Sequence, residues 1–254
     1  MDQKQAQEIA ACALTDIRVA ELYQEINEYS VIEICASPDS YWGSSTDSSG
    51  TSVFVACTIY PAESMFHELL HAKIKIQGYT QYLTFLRTVD GNSAKVLGEA
   101  LDNELQHHRM FPLFIDVGFD PERFYHDADT NSYSRIRREL KSMNPKVTSA
   151  TAYFMKFLTI VAPGGDGGEN ARKKLENYFR AKVPKAKMKK IDEAVDELVL
   201  WTESGATDPG PTIQKIMEKL GGMEGWWIGR SKNFPDAGHF IGEPFTLLEA
   251  KPFP

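Results

Sequence analysis

The stretch that decides the fold is Thr51-Ser-Val-Phe-Val-Ala-Cys-Thr-Ile-Tyr-Pro-Ala-Glu-Ser-Met-Phe-His-Glu-Leu-Leu-His-Ala-Lys-Ile-Lys-Ile76. The part before Pro61 is dense in β-branched and aromatic side chains, which favour a strand. Pro61 stops that strand, because proline lacks the backbone N–H that a sheet needs. From Ala62 apolar residues recur every three or four positions, as in a helix, and Gly78 is a suitable residue to end it. The sequence therefore predicts a strand followed closely by a helix over residues 62–76.

The predicted helix contains His67-Glu-Leu-Leu-His71, which matches the pattern His-Glu-x-x-His. The two histidines are one helical turn apart, so both imidazoles point the same way and can occupy two corners of a zinc tetrahedron. Glu68 lies beside that site, where a carboxylate can accept a proton from a water acidified by the metal. The pattern predicts metal-assisted hydrolysis, with His67 and His71 as metal ligands and Glu68 as the catalytic base.

A strand, a short connection and a His-Glu-x-x-His helix resemble the zincin metallopeptidases over about residues 50–110. The resemblance implies Zn²⁺ as the cofactor, a zinc metallopeptidase as the activity and a protein or peptide as the substrate. It also implies that the strand at 51–60 runs along the active-site cleft and pairs with extended substrate. The rival interpretation is a zincin-like metal-binding regulatory or interaction protein without peptidase activity.

A third metal ligand is needed, and the metzincin continuation is absent because positions 74 and 77 are Ile74 and Gln77. The run Asn103-Glu-Leu-Gln-His-His108 on a predicted helix at 92–109 is similar to the glutamate-ligand branch, the gluzincins. Glu104 falls within the apolar arc of that helix, whereas Glu99 falls opposite, as does Gln106. We therefore predict Glu104 as the third ligand.

Other assignments of the third ligand stay open. Glu99, followed by Asn103 and by Met-Phe-Pro, resembles the intracellular zincins that cleave bacterial repressors, and His107 or His108 can also serve as ligand. The gluzincin Asp that orients the first histidine is replaced here by His108. Four side chains are candidates for stabilising the oxyanion of the reaction: Tyr125, His126, Tyr133 and His239.

The rest of the chain predicts a helix-dominated α+β fold with a small N-terminal mixed β-sheet and a helical C-terminal part. We expect a helix at 3–27, strands at 29–36 and 51–60 with an exposed loop at 37–50, and an irregular tail from residue 221. The helix at 92–109 should end before Pro112. Further helices are predicted at 131–142, 147–161, 169–182, 187–204 and 211–220. The expected organisation is a zincin-like catalytic part, 1–130, followed by a helical part, 131–254.

Composition excludes several classes of protein. The three cysteines form no Cys-x-x-Cys pair, so neither a disulfide framework nor a thiolate zinc site is indicated, and a cytoplasmic location is expected. No apolar run is long enough to span a membrane, and no membrane partner is expected. The net charge is −7, from 28 basic and 35 acidic side chains. The locally basic segment 172–190 is interpreted as solvated helix ends, so nucleic-acid binding is not the expected function.

Overall fold

The computed structural model describes residues 1–39, 41–79, 83–86, 92–125, 132–164, 168–221, 225–229, 238–246, 248–249 and 251–252. The helices there are α1 (Gln3–Ala13), α2 (Ile17–Asn27), α3 (Pro61–Ile76), α4 (Asn92–Asp116), α5 (Tyr133–Ser142), α6 (Ala150–Val161), α7 (Gly168–Lys182), α8 (Lys185–Ser204) and α9 (Gly210–Leu220). The strands are β1 (Ile32–Ala36), β2 (Gly43–Asp47), β3 (Gly50–Val55), β4 (Leu83–Leu86), β5 (Trp226–Gly229), β6 (Gly238–Ile241) and β7 (Lys251–Pro252). The fold is α+β and dominated by helices, as predicted.

The helix predicted at 3–27 is two helices, α1 and α2. Asp2 begins α1 with a capping box, in which its side chain and that of Gln5 each bind the other's backbone N–H. Asp16 begins α2 from an extended backbone conformation, and its side chain accepts from the Arg18 N–H. An N-cap residue is outside the helical region, so a single helix cannot pass through position 16.

The N-terminal sheet has the strand order β1-β3-β2, with β1 parallel and β2 antiparallel to β3. A small mixed N-terminal sheet is therefore confirmed. The loop predicted at 37–50 is wrong in part, because it contains β2. This strand consists of polar and small residues, and it is formed by pairing with β3, which brings Ser44 opposite Val53 and Thr46 opposite Thr51. Cross-strand pairing is invisible to a search for apolar alternation.

β3 occupies the centre of this sheet and pairs with a strand on each side. Its residues alternate between the buried and the partly exposed face, so Thr51, Val53 and Val55 are in the core. The implied pairing of the strand at 51–60 with substrate is wrong, because both hydrogen-bonding edges of β3 are taken. The strand also ends earlier than predicted, at Val55.

α3 packs against β2, β3, α1 and α2. Pro61 is in its first turn, where a missing N–H costs nothing, and Lys73 and Lys75 are in its last turn, where positive charge suits the helix dipole. Most residues between Glu63 and Ile74 are buried on every side of the helix. This helix is a core helix, and the polar side chains on it need partners.

α4 continues past Pro112 to Asp116, so the prediction that it ends before the proline is wrong. A proline inside a helix removes one backbone hydrogen bond. In the last turns Met110 and Phe114 are completely buried, whereas Pro112 is exposed. Burial of that apolar face outweighs the lost hydrogen bond, and the helix persists.

The predicted C-terminal helices are confirmed in place by α5 to α9. The tail predicted to be irregular instead contributes β5, β6 and β7 to a second sheet of order β6-β5-β4-β7, all of its pairs antiparallel. β5 is buried at Trp226, Trp227 and Ile228. Gly238 lies against the Trp227 ring, where a side chain would collide, so the glycine permits this pairing.

The chain forms two compact units that each draw on several segments. Unit 1 comprises Met1–Gly78, Gln106–Tyr133 and Ala162–Arg172, and unit 2 comprises Tyr79–Leu105, Ser134–Val161 and Lys173–Pro254. The expected division into 1–130 and 131–254 is a continuous one, whereas these units are discontinuous. No helix in the described part of the chain is long and apolar enough to cross a membrane.

Candidate metal centre

Five polar side chains of α3 are buried, and burial of a polar group is costly unless it is hydrogen-bonded. Four of them have a hydrogen-bond partner in unit 1. The pairs are Glu63 with the Arg123 guanidinium, Ser64 Oγ with the Tyr60 carbonyl, Glu68 with Ser44 Oγ, and His71 with the Gln106 side chain.

His67 is the exception among these five. Its side chain is 2% exposed, and neither ring nitrogen has a hydrogen-bond partner in the described part of the chain. Burial lowers the pKa of His67 well below its usual value, and the neighbouring rings of His71 and His107 lower it further. The Phe124 backbone acts in the opposite direction, although it forms no hydrogen bond with either ring nitrogen. A neutral imidazole with its nitrogens unsatisfied is the form that binds a metal ion.

His67 belongs to a buried group of three histidines, with His71 from α3 and His107 from α4. One ring nitrogen from each lies within 4.8 Å of the others. The ring centroids are 5.0 Å apart for His67 and His71, 5.1 Å for His67 and His107, and 5.3 Å for His71 and His107. Tetrahedral zinc holds nitrogen ligands about 3.4 Å apart, so side-chain shifts of about 1 Å would bring these atoms onto one ion. The group could hold a metal ion.

The third member of this group is His107 rather than Glu104. His107 is one of the alternatives that the sequence leaves open, and it is 2% exposed. Glu104 is also buried, at 7% exposed, but it is not a member of the group and belongs to unit 2. Glu99 is exposed, and His108 is half-buried and outside the group.

The difference between Glu104 and His107 is a matter of helix rotation. At about 100° per residue the two side chains are about 60° apart around α4, so either can face a neighbouring helix after a modest rotation. The sequence also places Gln106 on the polar side, and that prediction is wrong because Gln106 is 6% exposed. α4 is buried on every side from Glu104 to His107, so an apolar arc does not identify the side that faces α3.

Glu68 lies on α3 directly after His67 and is 3% exposed. Its carboxylate accepts a hydrogen bond from Ser44 Oγ, 2.9 Å away on β2. Burial raises the pKa of Glu68 to about 7, although the Ser44 hydrogen bond and the charge of Lys75 act to lower it. A carboxyl group with a pKa near 7 can both accept and return a proton at neutral pH.

Burial also lowers the pKa of His71 to about 3, and the neighbouring ring of His107 adds to this effect. The hydrogen bond to Gln106 acts in the opposite direction. His71 is therefore neutral at neutral pH, as a metal ligand must be. A neutral ring keeps a nitrogen lone pair, which binding a metal ion requires.

Aromatic side chains cover one side of the group. The Phe124 ring lies 4.6 Å from that of His67, and the Tyr125 ring lies 4.8 Å from that of His107, measured between centroids. Tyr125 is the candidate oxyanion donor with a ring contact to the group among the described residues. Tyr133 is the buried first residue of α5, and His239 lies on β6 in unit 2, opposite Ile228. His126 lies outside the described residues.

Ser44 and Gln106 are site residues that the sequence did not indicate. Ser44 lies in a Ser/Asp/Gly-rich run with the composition of a loop, and Gln106 lies opposite the apolar arc of its helix. Each contacts α3 only through the tertiary fold, so no local pattern marks it.

The chain matches no protein-family model, no curated protein and no solved structure.

Proposed function

We propose that this chain is a zinc-dependent metallopeptidase whose metal is held by His67, His71 and His107 and whose catalytic base is Glu68. The observation that carries the proposal is the buried, unsatisfied imidazole of His67 within a group of three histidines, directly before a buried carboxylate. Imidazole ligands suit zinc and several other transition metals, and a neighbouring glutamate suits metal-assisted hydrolysis.

When bound, zinc would supply a strongly acidified water and polarise the carbonyl of the bond to be cleaved. In this proposal Glu68 takes a proton at its carboxylate and returns it to the leaving nitrogen. Ser44 Oγ donates a hydrogen bond to one carboxylate oxygen, 2.9 Å away, which leaves the other oxygen for the transfer in this proposal.

We propose Tyr125 as the side chain that stabilises the negative charge developing on the carbonyl oxygen. Its ring centroid lies 4.8 Å from that of His107, and its side chain is partly exposed. The substrate in this proposal is a protein or peptide. Free cysteines at positions 12, 35 and 57 are compatible with the reducing cytoplasm, which we propose as the location.

The test is elemental analysis of the purified protein together with cleavage of a peptide library by the native chain and by Glu68→Gln. We expect about one zinc per chain in both. Cleavage should fall at least 100-fold in Glu68→Gln, because the amide keeps the shape and the acceptor for Ser44 but cannot take up a proton. The control is Glu99→Gln, an exposed glutamate on α4, which should leave cleavage unchanged.

Cleavage that survives in Glu68→Gln contradicts the role of Glu68 as base. A well-folded protein without zinc, whose melting temperature does not change with chelator or added zinc, contradicts the whole proposal.

A second candidate function is metal binding without hydrolysis, in a regulatory or interaction protein. The observation that favours it is that the three histidines and Glu68 are all buried. Structural metal sites are closed, whereas catalytic sites keep an open position. Zinc in the protein, with no peptide product from the native chain under any condition, would favour this candidate.

A further inference from the structure

We infer that Gln106 is a positioning residue for the metal centre: its side-chain oxygen fixes the protonation and orientation of the His71 ring, so that His71 presents Nε2 to the metal. The inference rests on the proposed metal site and adds a residue to which neither the sequence pattern nor the group of three histidines assigns a role.

The first step is the hydrogen bond itself. His71 Nδ1 lies 2.9 Å from Gln106 Oε1, and both side chains are buried, at 9% and 6% exposed. An amide oxygen can only accept a hydrogen bond, so the proton must be on Nδ1. The Nε2 atom of the neutral ring is then left with its lone pair, which is the form required of a metal ligand.

The second step is the position of Gln106 in the chain. It precedes His107 on α4, so one turn of this helix carries both a member of the histidine group and the partner of another member on α3. Placing α4 so that His107 joins the group also brings Gln106 to His71. A hydrogen bond at Nδ1 restricts rotation of the His71 ring, and outer partners of this kind increase metal affinity.

The third step is the charge of the partner. Ligand histidines are often held by a carboxylate, which raises the electron density of the ring. Gln106 is a neutral acceptor that holds the ring with less such effect. Gln106→Glu keeps an acceptor oxygen at the same reach, whereas Gln106→Leu keeps the volume and removes the acceptor. Comparison of the two variants therefore separates the effect of the hydrogen bond to His71 from the effect of side-chain volume in the core.

The experiment measures zinc affinity by competition with a chelator, and it measures the His71 ring protonation in ¹⁵N-labelled, metal-free protein by NMR. In the native chain we expect the Nδ1–H form. Gln106→Leu should bind zinc about 10- to 100-fold more weakly and lose the preference for Nδ1–H. Gln106→Glu should bind zinc at least as tightly as the native chain. Asn103→Leu, at an exposed position on the same helix, is the matched control and should change neither quantity.

An Nε2–H ring in the native protein overturns the inference, as does unchanged zinc affinity in Gln106→Leu. If Gln106→Leu does not fold, the ring form in the native chain and the affinity of Gln106→Glu decide: weaker binding by Gln106→Glu than by the native chain contradicts it. A protein that binds no zinc contradicts the proposed function, while the ring form of His71 still tests the role of Gln106 separately.

Discussion

Two ligand sets are possible for the proposed centre: three histidines, or two histidines and a glutamate. The position of the His107 imidazole distinguishes them. The geometry puts His107 with His67 and His71, and puts Glu104 outside the group. In the proposed centre, three neutral rings would leave the full charge of a divalent ion uncompensated by its ligands, whereas a glutamate ligand would cancel part of it. Under the proposed function, the identity of this one ligand would set how strongly the metal polarises a substrate carbonyl.

Substitution of His107 is the direct test of the ligand set. We expect His107→Ala to weaken zinc binding more than about 100-fold, since loss of a ligand costs more than loss of an outer partner. Glu104→Gln should change zinc affinity by no more than a few-fold. Chelator competition on the two variants measures both. The reverse order of effects would restore Glu104 as the third ligand.

Proton uptake at Glu68 should be visible in the stability of the metal-free protein. Glu68 has a folded pKa of about 7, above its usual 4.5, so on folding it binds a proton between these pH values and gains stability as the pH falls. The lowered pKa values of His67 and His71 act oppositely below pH 6.5, where the unfolded chain binds protons and the folded chain does not. The two effects partly cancel in the native chain.

Glu68→Gln removes one side of this balance. Between pH 6.5 and 4.5 we expect the free energy of unfolding to fall more steeply with decreasing pH in the variant than in the native chain. The two slopes should differ by about 1.4 kcal/mol per pH unit, because the folded variant lacks the one proton that Glu68 binds. Urea unfolding of both metal-free proteins at several pH values measures the difference. Parallel pH dependences would show that Glu68 ionises normally in the folded chain.

At the scale of the element, helices were more predictable than strands. α3 and the C-terminal helices follow from local apolar spacing, and their predicted bounds lie within a few residues of the observed ones. β2 was missed because its residues are polar and small, and its existence depends on pairing with β3. The rule that proline ends a helix fails at Pro112, because burial of Met110 and Phe114 outweighs the hydrogen bond that α4 loses there. Local patterns report local energies, and pairing and burial are not local.

The connection between α6 and α7 contains a glycine whose conformation and space are both required. Gly164 has φ +71°, and an added Cβ would lie 2.5 Å from the Phe111 ring and 2.6 Å from the Pro121 carbonyl oxygen. Gly205, after α8, has a similar φ of +66° and open space around it. The two positions therefore share the backbone penalty of a side chain and differ in crowding.

We expect Gly164→Ala to lower the free energy of unfolding by about 3 kcal/mol, from a left-handed backbone and from overpacking together. Gly205→Ala should cost about 1 kcal/mol, from the backbone alone. Urea unfolding of the two variants measures both values. Equal losses would mean that the neighbours of Gly164 move aside without cost.

At the scale of the whole molecule, the proposed centre lies within one compact unit. Its three histidines, Glu68, Ser44 and Gln106 all belong to unit 1, although they come from parts of the chain that are distant in sequence. The boundary between the units falls inside α4, between Leu105 and Gln106. A metal bound by the three histidines would therefore link α3 to the second half of α4 and stabilise their folded arrangement.

Metal binding should raise the melting temperature. At free zinc about 100 times the dissociation constant, stabilisation is about 2.7 kcal/mol, and each kcal/mol is worth about 2–4 °C in a chain of this size. We expect a rise of several degrees on addition of zinc and a matching fall with chelator, measured by differential scanning calorimetry. His67→Ala should abolish the zinc dependence, and His239→Ala, in unit 2, should retain it.

The sequence by itself determined that a strand is followed by a helix with two histidines and a glutamate, because helical spacing and side-chain chemistry are local properties. It also determined the helix-dominated class of the fold. Only the tertiary structure decided that His107 completes the group, that Gln106 holds His71, and that Ser44 holds Glu68. The physical reason is that the rotation of α4 and the pairing of β2 are fixed by the packing of distant segments, and a rotation of about 60° exchanges one candidate ligand for another.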